Sequence, residues 1–387
     1  MSVGAFSSGQ PQPAGGWSEE IVTLAQAHVV PPNTSGLIQA AGVLYSDGSY
    51  CHHAALWRRY RPITVKPELP SRSKTLKGRW LWGGVLWAHF GHFLVESTAR
   101  LWALAHLGKP IDGILFIPKR PAADGELRGF QRDFLAHYAA GTDVKVTRTP
   151  LQVEELIVPG QGFGIGPIVS GTPKFRAALQ SNFAQAVQPN GPQRIYLSRS
   201  KLGLGKGGMI GEAILERRLK KQGYEIFHPQ EHSLVEQIAR YKAARQIIAA
   251  DGSAVHLFAM VGRADQKLAM IQRRESGASA QLVQNVRAFC QNDPLVINAL
   301  RSEWLPVAQQ RSSRLSFGEL DLERIGTALA QHGFIEADTR WSSFNGQRRK
   351  QMLLNKGIRA GENFVEARRF KQQRLEDARR KRIAEQD

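Results

Sequence analysis

The chain has 387 residues, with 52 Lys and Arg against 33 Asp and Glu, giving a formal net charge of +19 and a sequence pI near 10.3. A hydrophobic content of 42% at this length excludes wholesale disorder and supports about two packed domains. Two cysteines, Cys51 and Cys290, with no CxxC spacing, exclude a disulfide framework and give no sign of a structural zinc.

Residues 1–16, rich in Gly, Ser, Pro and Gln, cannot offset the entropy of ordering and are expected to form a disordered tail. They lack the basic start and apolar run of a signal peptide, and nowhere do about 18 apolar residues follow one another. A reducing, cytoplasmic setting is the expectation. Short apolar runs at 42–45, 112–118 and 155–159 read as buried strands, and apolar spacing predicts a helix over 88–107. The stretch 158–173 packs five Gly and three Pro into sixteen residues and reads as the passage between domains. A helix around 174–187 follows. A second series then alternates strands at 194–198, 224–229 and 246–250 with helices at 211–222 and 234–244, the pattern of a parallel sheet. From Arg340 onward 14 basic and 6 acidic residues leave a net +8. The expected organisation is thus a tail over 1–16, α/β domains over 17–172 and 173–338, and a basic, largely helical arm over 339–387. That arm suits contact with an anionic membrane face, a solvated helix being the simpler alternative.

Three segments carry chemistry. On the helix expected at 88–107, His89, His92, Glu96 and Arg100 recur three or four residues apart and share one flank. Glu96, four residues after His92, can fix the imidazole's tautomer, which suits a general base. A polar helix face with satisfied histidines is the structural alternative, and a His89, His92, Glu96 metal set a weaker one. In the second half Gly203, Gly205 and Gly208 spell GxGxxG, but the strand before them ends too early for a dinucleotide turn. With Lys206, Arg199 and a helix N-terminus this loop reads as an anion site fit for a diphosphate. The third segment is 247–260, where a buried strand ends in Asp251 and Gly252 and a helix begins at Ser253, so that its amides can face a phosphate. An ordinary Asp-Gly turn with a serine cap would read the same way.

In this order the segments resemble glycosyltransferase family 61 over about residues 82–260. His92, Phe93, Leu94 and Glu96, followed by Arg100 and Leu101, are similar to the family's His-Phe/Trp-Leu-x-Glu helix. Arg194, Tyr196, Leu197, Ser198 and Arg199 are similar to its Arg-x-Tyr-Leu-Ser-Arg strand. Glu236, Gln237 and Ile238, then Gly252, Ser253 and Ala254, are similar to its Glu-Gln-Ile and Gly-Ser-Ala elements. The chain departs from the pattern at Gly211, Asp251, His256 and Leu257.

The resemblance implies an α/β protein of GT-B architecture, two Rossmann-like domains facing across a cleft. It also implies transfer from a nucleotide sugar to a glycan hydroxyl, with inversion and no essential metal, and a role of the capsular polysaccharide kind. His92 and Glu96 become the catalytic candidates. Arg194, Tyr196, Ser198, Arg199, Lys206, Gln237, Asp251, Gly252, Ser253 and His256 become the donor-binding candidates; no cofactor is expected beyond the donor. Two other classes remain open on the sequence: a basic, non-catalytic nucleic-acid binder, and a nucleotide-dependent oxidoreductase built on Gly203–Gly208.

Overall fold

A computed structural model of the chain describes residues 9–122 and 125–384. The expected tail over residues 1–8 lies outside the described residues. Residues 9–16 fold back: the Gln12 amide donates to Ser18 Oγ at 3.1 Å and Trp17 Nε1 to the Gly9 carbonyl at 3.0 Å.

The fold is mixed α/β and divides into two compact units. The first comprises residues up to Gln188 together with His256–Gly262 and Gln284–Gln291. Its sheet runs in the order Gly42–Leu44, Ile21–Val30, Leu151–Pro159, Lys74–Leu86, Gly113–Pro118, Asp143–Val146. Ile21–Val30 is antiparallel to both of its neighbours, and the last four strands are parallel. The apolar runs expected to be buried are buried, Ile114 to Ile117 without exposed surface, because a parallel strand is covered on both faces. Trp80, Trp82, Leu115, Ile117, Val153, Leu156 and Val158 form the core on one of these faces.

Helix Pro173–Asn182 belongs to this unit, so the boundary expected after residue 172 falls after Gln188 instead. The reason is aromatic packing that glycine and proline content does not reveal. Phe175 stacks on Phe163 with centroids 4.9 Å apart, and Phe183 on Phe134 at 4.2 Å.

The second unit holds a five-stranded sheet, all parallel, in the order Glu225–Phe227, Arg194–Leu197, Gln246–Ala250, Lys267–Ile271, Leu295–Ile297. Helices Glu212–Lys221 and Leu234–Ala243 join its strands, as the alternation of patterns predicted. Gly211, at the N-cap of the first, has φ 85°, a left-handed conformation that glycine adopts freely and asparagine tolerates best among the rest. A smaller sheet runs Gly208–Ile210, Phe317–Leu320, Leu300–Pro306, Phe364–Glu366.

That last strand corrects the expected arm. Residues 340–366 are built into the second unit, with Trp341, Leu353, Ile358 and Phe364 buried and Phe364–Glu366 paired antiparallel to Leu300–Pro306. Only helix Arg368–Ala384 resembles an arm, and Phe370 is its one buried residue. The Gly203–Gly208 loop also differs from a dinucleotide turn: Leu204–Lys206 is a short 3-10 turn and Gly208 opens a strand, so helix Glu212–Lys221 begins only after that strand and not directly at the glycines.

Candidate active site

In the first unit the segment expected to be one helix is three short pieces. A helical turn at Phe90–His92 passes into a π-type turn at Phe93–Ser97, and a 3-10 stretch follows at Leu101–His106. Hydroxyls divert it. Thr98 Oγ1 donates to the Leu94 carbonyl at 2.7 Å, and Ser97 Oγ bridges the Val85 carbonyl and the Trp87 amide, each at 2.9 Å. Such local bonds compete with a regular helix.

The π-type turn still brings His92 and Glu96 together, Nδ1 to Oε2 at 2.8 Å. Glu96 is fully buried, whereas the His92 side chain keeps 28% of its surface exposed. A residue that the periodicity could not indicate completes the group. Arg58 grips Glu96 through two bonds, Nε to Oε1 at 2.8 Å and Nη2 to Oε2 at 2.5 Å, and its Nη2 lies 3.3 Å from His92 Nδ1. Burial pushes the Glu96 carboxyl up, but the hydrogen bonds from His92 and Arg58 outweigh it and hold the group below the usual carboxylate range. An ionised carboxylate only accepts, so His92 must donate from Nδ1, which leaves the lone pair on Nε2. Trp87 floors the group, with the Arg58 guanidinium 4.5 Å and the His92 ring 4.7 Å from its centroid. Lys119 lies 5.3 Å from the same ring; burial, with repulsion from Arg58, lowers its pKa to about 8.

Arg100 does not share the flank. It is buried and donates to the carbonyls of His53 at 3.0 Å, Ala55 at 2.8 Å and Pro159. Its role is to fasten three backbone segments. His256, placed from sequence with the donor residues, lies in the first unit, its Nδ1 2.9 Å from Asn285 Oδ1. Burial, helped by repulsion from His92, lowers its pKa to about 4.

In the second unit the donor candidates separate. Arg194 opens its strand and turns to the Gln222 carbonyl at 3.1 Å and the Tyr224 ring, away from the carboxyl ends where ligands bind in such sheets. Tyr196 is buried and gives its hydroxyl to Glu212 at 3.0 Å. Ser198, also buried, donates to Glu216 at 2.5 Å. Gln237 donates from Nε2 to the His232 carbonyl at 3.1 Å, while its Oε1 is buried without a hydrogen-bond partner.

Asp251 is neither a free base nor a free ligand. It has no exposed surface, pairs with Arg273 Nε at 2.8 Å and accepts from Ser279 Oγ at 3.0 Å. The residues that do converge are Arg199 and Gly252. A Cβ on Gly252 would stand 3.1 Å from Arg199 Nη1, so the glycine gives the guanidinium room at the N-terminus of helix Ser253–Val261. The Arg199 amide donates to Glu212 at 2.7 Å, and its Nη2 to the Lys206 carbonyl at 2.8 Å; Lys206 contributes that carbonyl while its side chain is exposed. Glu212, Arg273 and Arg274 were not among the sequence candidates. The run 272–276 carries no periodic signal, though a position just past the end of a buried strand could have indicated the two arginines. Among the described residues no group of three or more His, Cys, Asp or Glu is placed to hold a metal ion.

Residues 90–265 match the family model described as Glycosyltransferase 61. The fold and the match define the class, an α/β enzyme that transfers a sugar. Over that span the chain is similar to the glycosyltransferase 61 family, which supports its being a glycosyltransferase. No curated protein matches it. No helix among the described residues is long and apolar enough to cross a membrane.

Proposed function

We propose that this glycosyltransferase moves a sugar from a nucleotide-sugar donor to a glycan hydroxyl, with inversion and without an essential metal, in cell-surface polysaccharide synthesis at the cytoplasmic side. The architecture proposed is the GT-B one that the resemblance implies. The observation that carries the reading is the His92–Glu96–Arg58 group: a buried, ionised carboxylate orients a partly exposed imidazole so that Nε2 is free to take a proton.

In the mechanism, His92 Nε2 accepts the proton of the acceptor hydroxyl as its oxygen attacks the anomeric carbon. Glu96 stabilises the imidazolium that forms, and Arg58 keeps Glu96 charged and fixed. On the donor side Arg199 and the amides at Gly252 and Ser253 neutralise the diphosphate as it leaves, charge developing in a pre-arranged site.

His92→Ala should lower turnover by about 10² to 10⁴ while leaving nucleotide binding in place. An unchanged rate would remove His92 from the role of base. A thermal-shift panel of nucleoside diphosphates, NAD and duplex DNA at two salt concentrations tests the class. A salt-tolerant shift with one nucleoside diphosphate supports the transferase reading, and a salt-sensitive shift with DNA alone overturns it.

A further inference from the structure

The strand Lys267–Ile271 ends beside Asp251 and is followed by Arg273 and Arg274. The two arginines are used very differently. Arg273 is consumed by the fold: its Nε pairs with the Asp251 carboxylate at 2.8 Å and donates to the Asp251 carbonyl at 3.0 Å, and its Nη1 donates to the Ser316 carbonyl at 3.2 Å.

Arg274 is not consumed. Its side chain is only 14% exposed, and its nearest carboxylate oxygen, Asp251 Oδ2, is 3.7 Å from Nε, beyond hydrogen-bond distance. That Nε is buried with no hydrogen-bond partner, and the same holds for Nε of Arg199. The neighbouring carboxylates do not answer these donors. Asp251 accepts from Ser279 at Oδ2 and faces Arg273 with Oδ1, and Glu212 accepts from the Arg199 amide and the Tyr196 hydroxyl at Oε1; Asp251 Oδ1 and Glu212 Oε2 are themselves buried without a hydrogen-bond partner. Burial lowers the pKa of the Arg199 guanidinium, and repulsion from Arg274 adds to this against the pull of Glu212 and Asp251.

Glu212 and Asp251 attract these guanidinium groups without hydrogen-bonding their Nε donors, and a buried donor left without a partner is unfavourable until a ligand oxygen meets it. An arginine fork matches phosphate oxygens better than any other side chain.

We infer that Arg274 is a second phosphate-binding arginine, which together with Arg199 clasps the donor diphosphate, and that Asp251 is a positioning residue that sets Arg274 through the Arg273 pair without touching the donor. This rests on the donor-site reading above and extends it to residues beyond the family's strand and turn motifs.

The test is calorimetric titration of the full chain with inorganic pyrophosphate. The wild type should bind, and Arg274→Ala should bind about ten- to a hundredfold more weakly, the loss expected for charge-assisted bonds to phosphate. Arg274→Lys should fall between, keeping the charge and losing the fork. Asp251→Asn should weaken binding but add little to Arg274→Ala, because the two act through one group. Should Arg274→Ala fail to fold, Arg274→Lys decides alone. Unchanged affinity in a folded Arg274 variant, with affinity lost in Arg199→Ala, overturns this inference and leaves the donor site standing. A wild type that takes up no pyrophosphate overturns both.

Discussion

Arg58 and Glu96 show how one residue far away in sequence decides what a local motif means. His92 and Glu96 lie four apart and would meet on any helical turn. A carboxylate as deeply buried as Glu96 stays charged because His92 hydrogen-bonds it and Arg58, 38 residues earlier, meets both of its oxygens. Removing one partner of a buried pair leaves the other uncompensated, so Arg58→Ala should cost about 3 kcal/mol or more in unfolding free energy and also release His92. Denaturant titration with activity measured in parallel checks this: a variant as stable and as active as the wild type would show that the pair is incidental. Arg100 teaches the opposite lesson. It shares the spacing of His89, His92 and Glu96, yet the chain turns at Ser97 and Thr98 and sends it to backbone carbonyls.

At the scale of elements, strands were easier to read than the long helix. Runs such as Ile114–Ile117 or Ile247–Ala250 announce a buried parallel strand because both of their faces are covered. The segment from 88 to 107 has a helical period, but its hydroxyls bond to backbone that only the neighbouring strand end at Val85 supplies. The basic C-terminus was legible as charge but not as architecture. Strand Phe364–Glu366 and the pairs Arg349–Glu319 and Arg374–Glu366 bind it to the second unit, and Arg369 pairs with Glu275, next to Arg274. A deletion from Arg340 would therefore remove core residues, whereas a deletion from Arg368 spares them. Phe370→Ala, which removes the final helix's one buried side chain, should speed tryptic cleavage over 371–382 while leaving the unfolding midpoint within a few degrees of wild type. Unchanged cleavage would mean that the ion pairs alone dock the helix.

For the whole molecule, each of the two units carries its own core. Two histidines of the first unit, His53 and His256, are held at pKa values of about 4 by burial, with Arg100 repelling the first and His92 the second. Unfolded histidines take up protons near pH 6.5, so between about 6.5 and about 4 the unfolded state binds more protons and stability is lost as pH falls. Glu96, whose carboxyl lies low in the folded state, adds to the loss in the same direction. Urea midpoints should fall from pH 7 to about pH 4.5, and His256→Gln should fall less steeply. Equal slopes would show that His256 is reached by protons without unfolding.

The sequence by itself determined the α/β alternation, the order of three motifs and the meeting of His92 with Glu96. These depend on short-range spacing and on burial of apolar runs, which each segment carries within itself. Only the tertiary structure decided that Arg58 completes that pair, that helix Pro173–Asn182 joins the first unit, and that Asp251 is spent on Arg273 while Arg199 and Arg274 keep donors in reserve. A charged group's role depends on which partner satisfies it once water is excluded, and those partners come from segments tens of residues away.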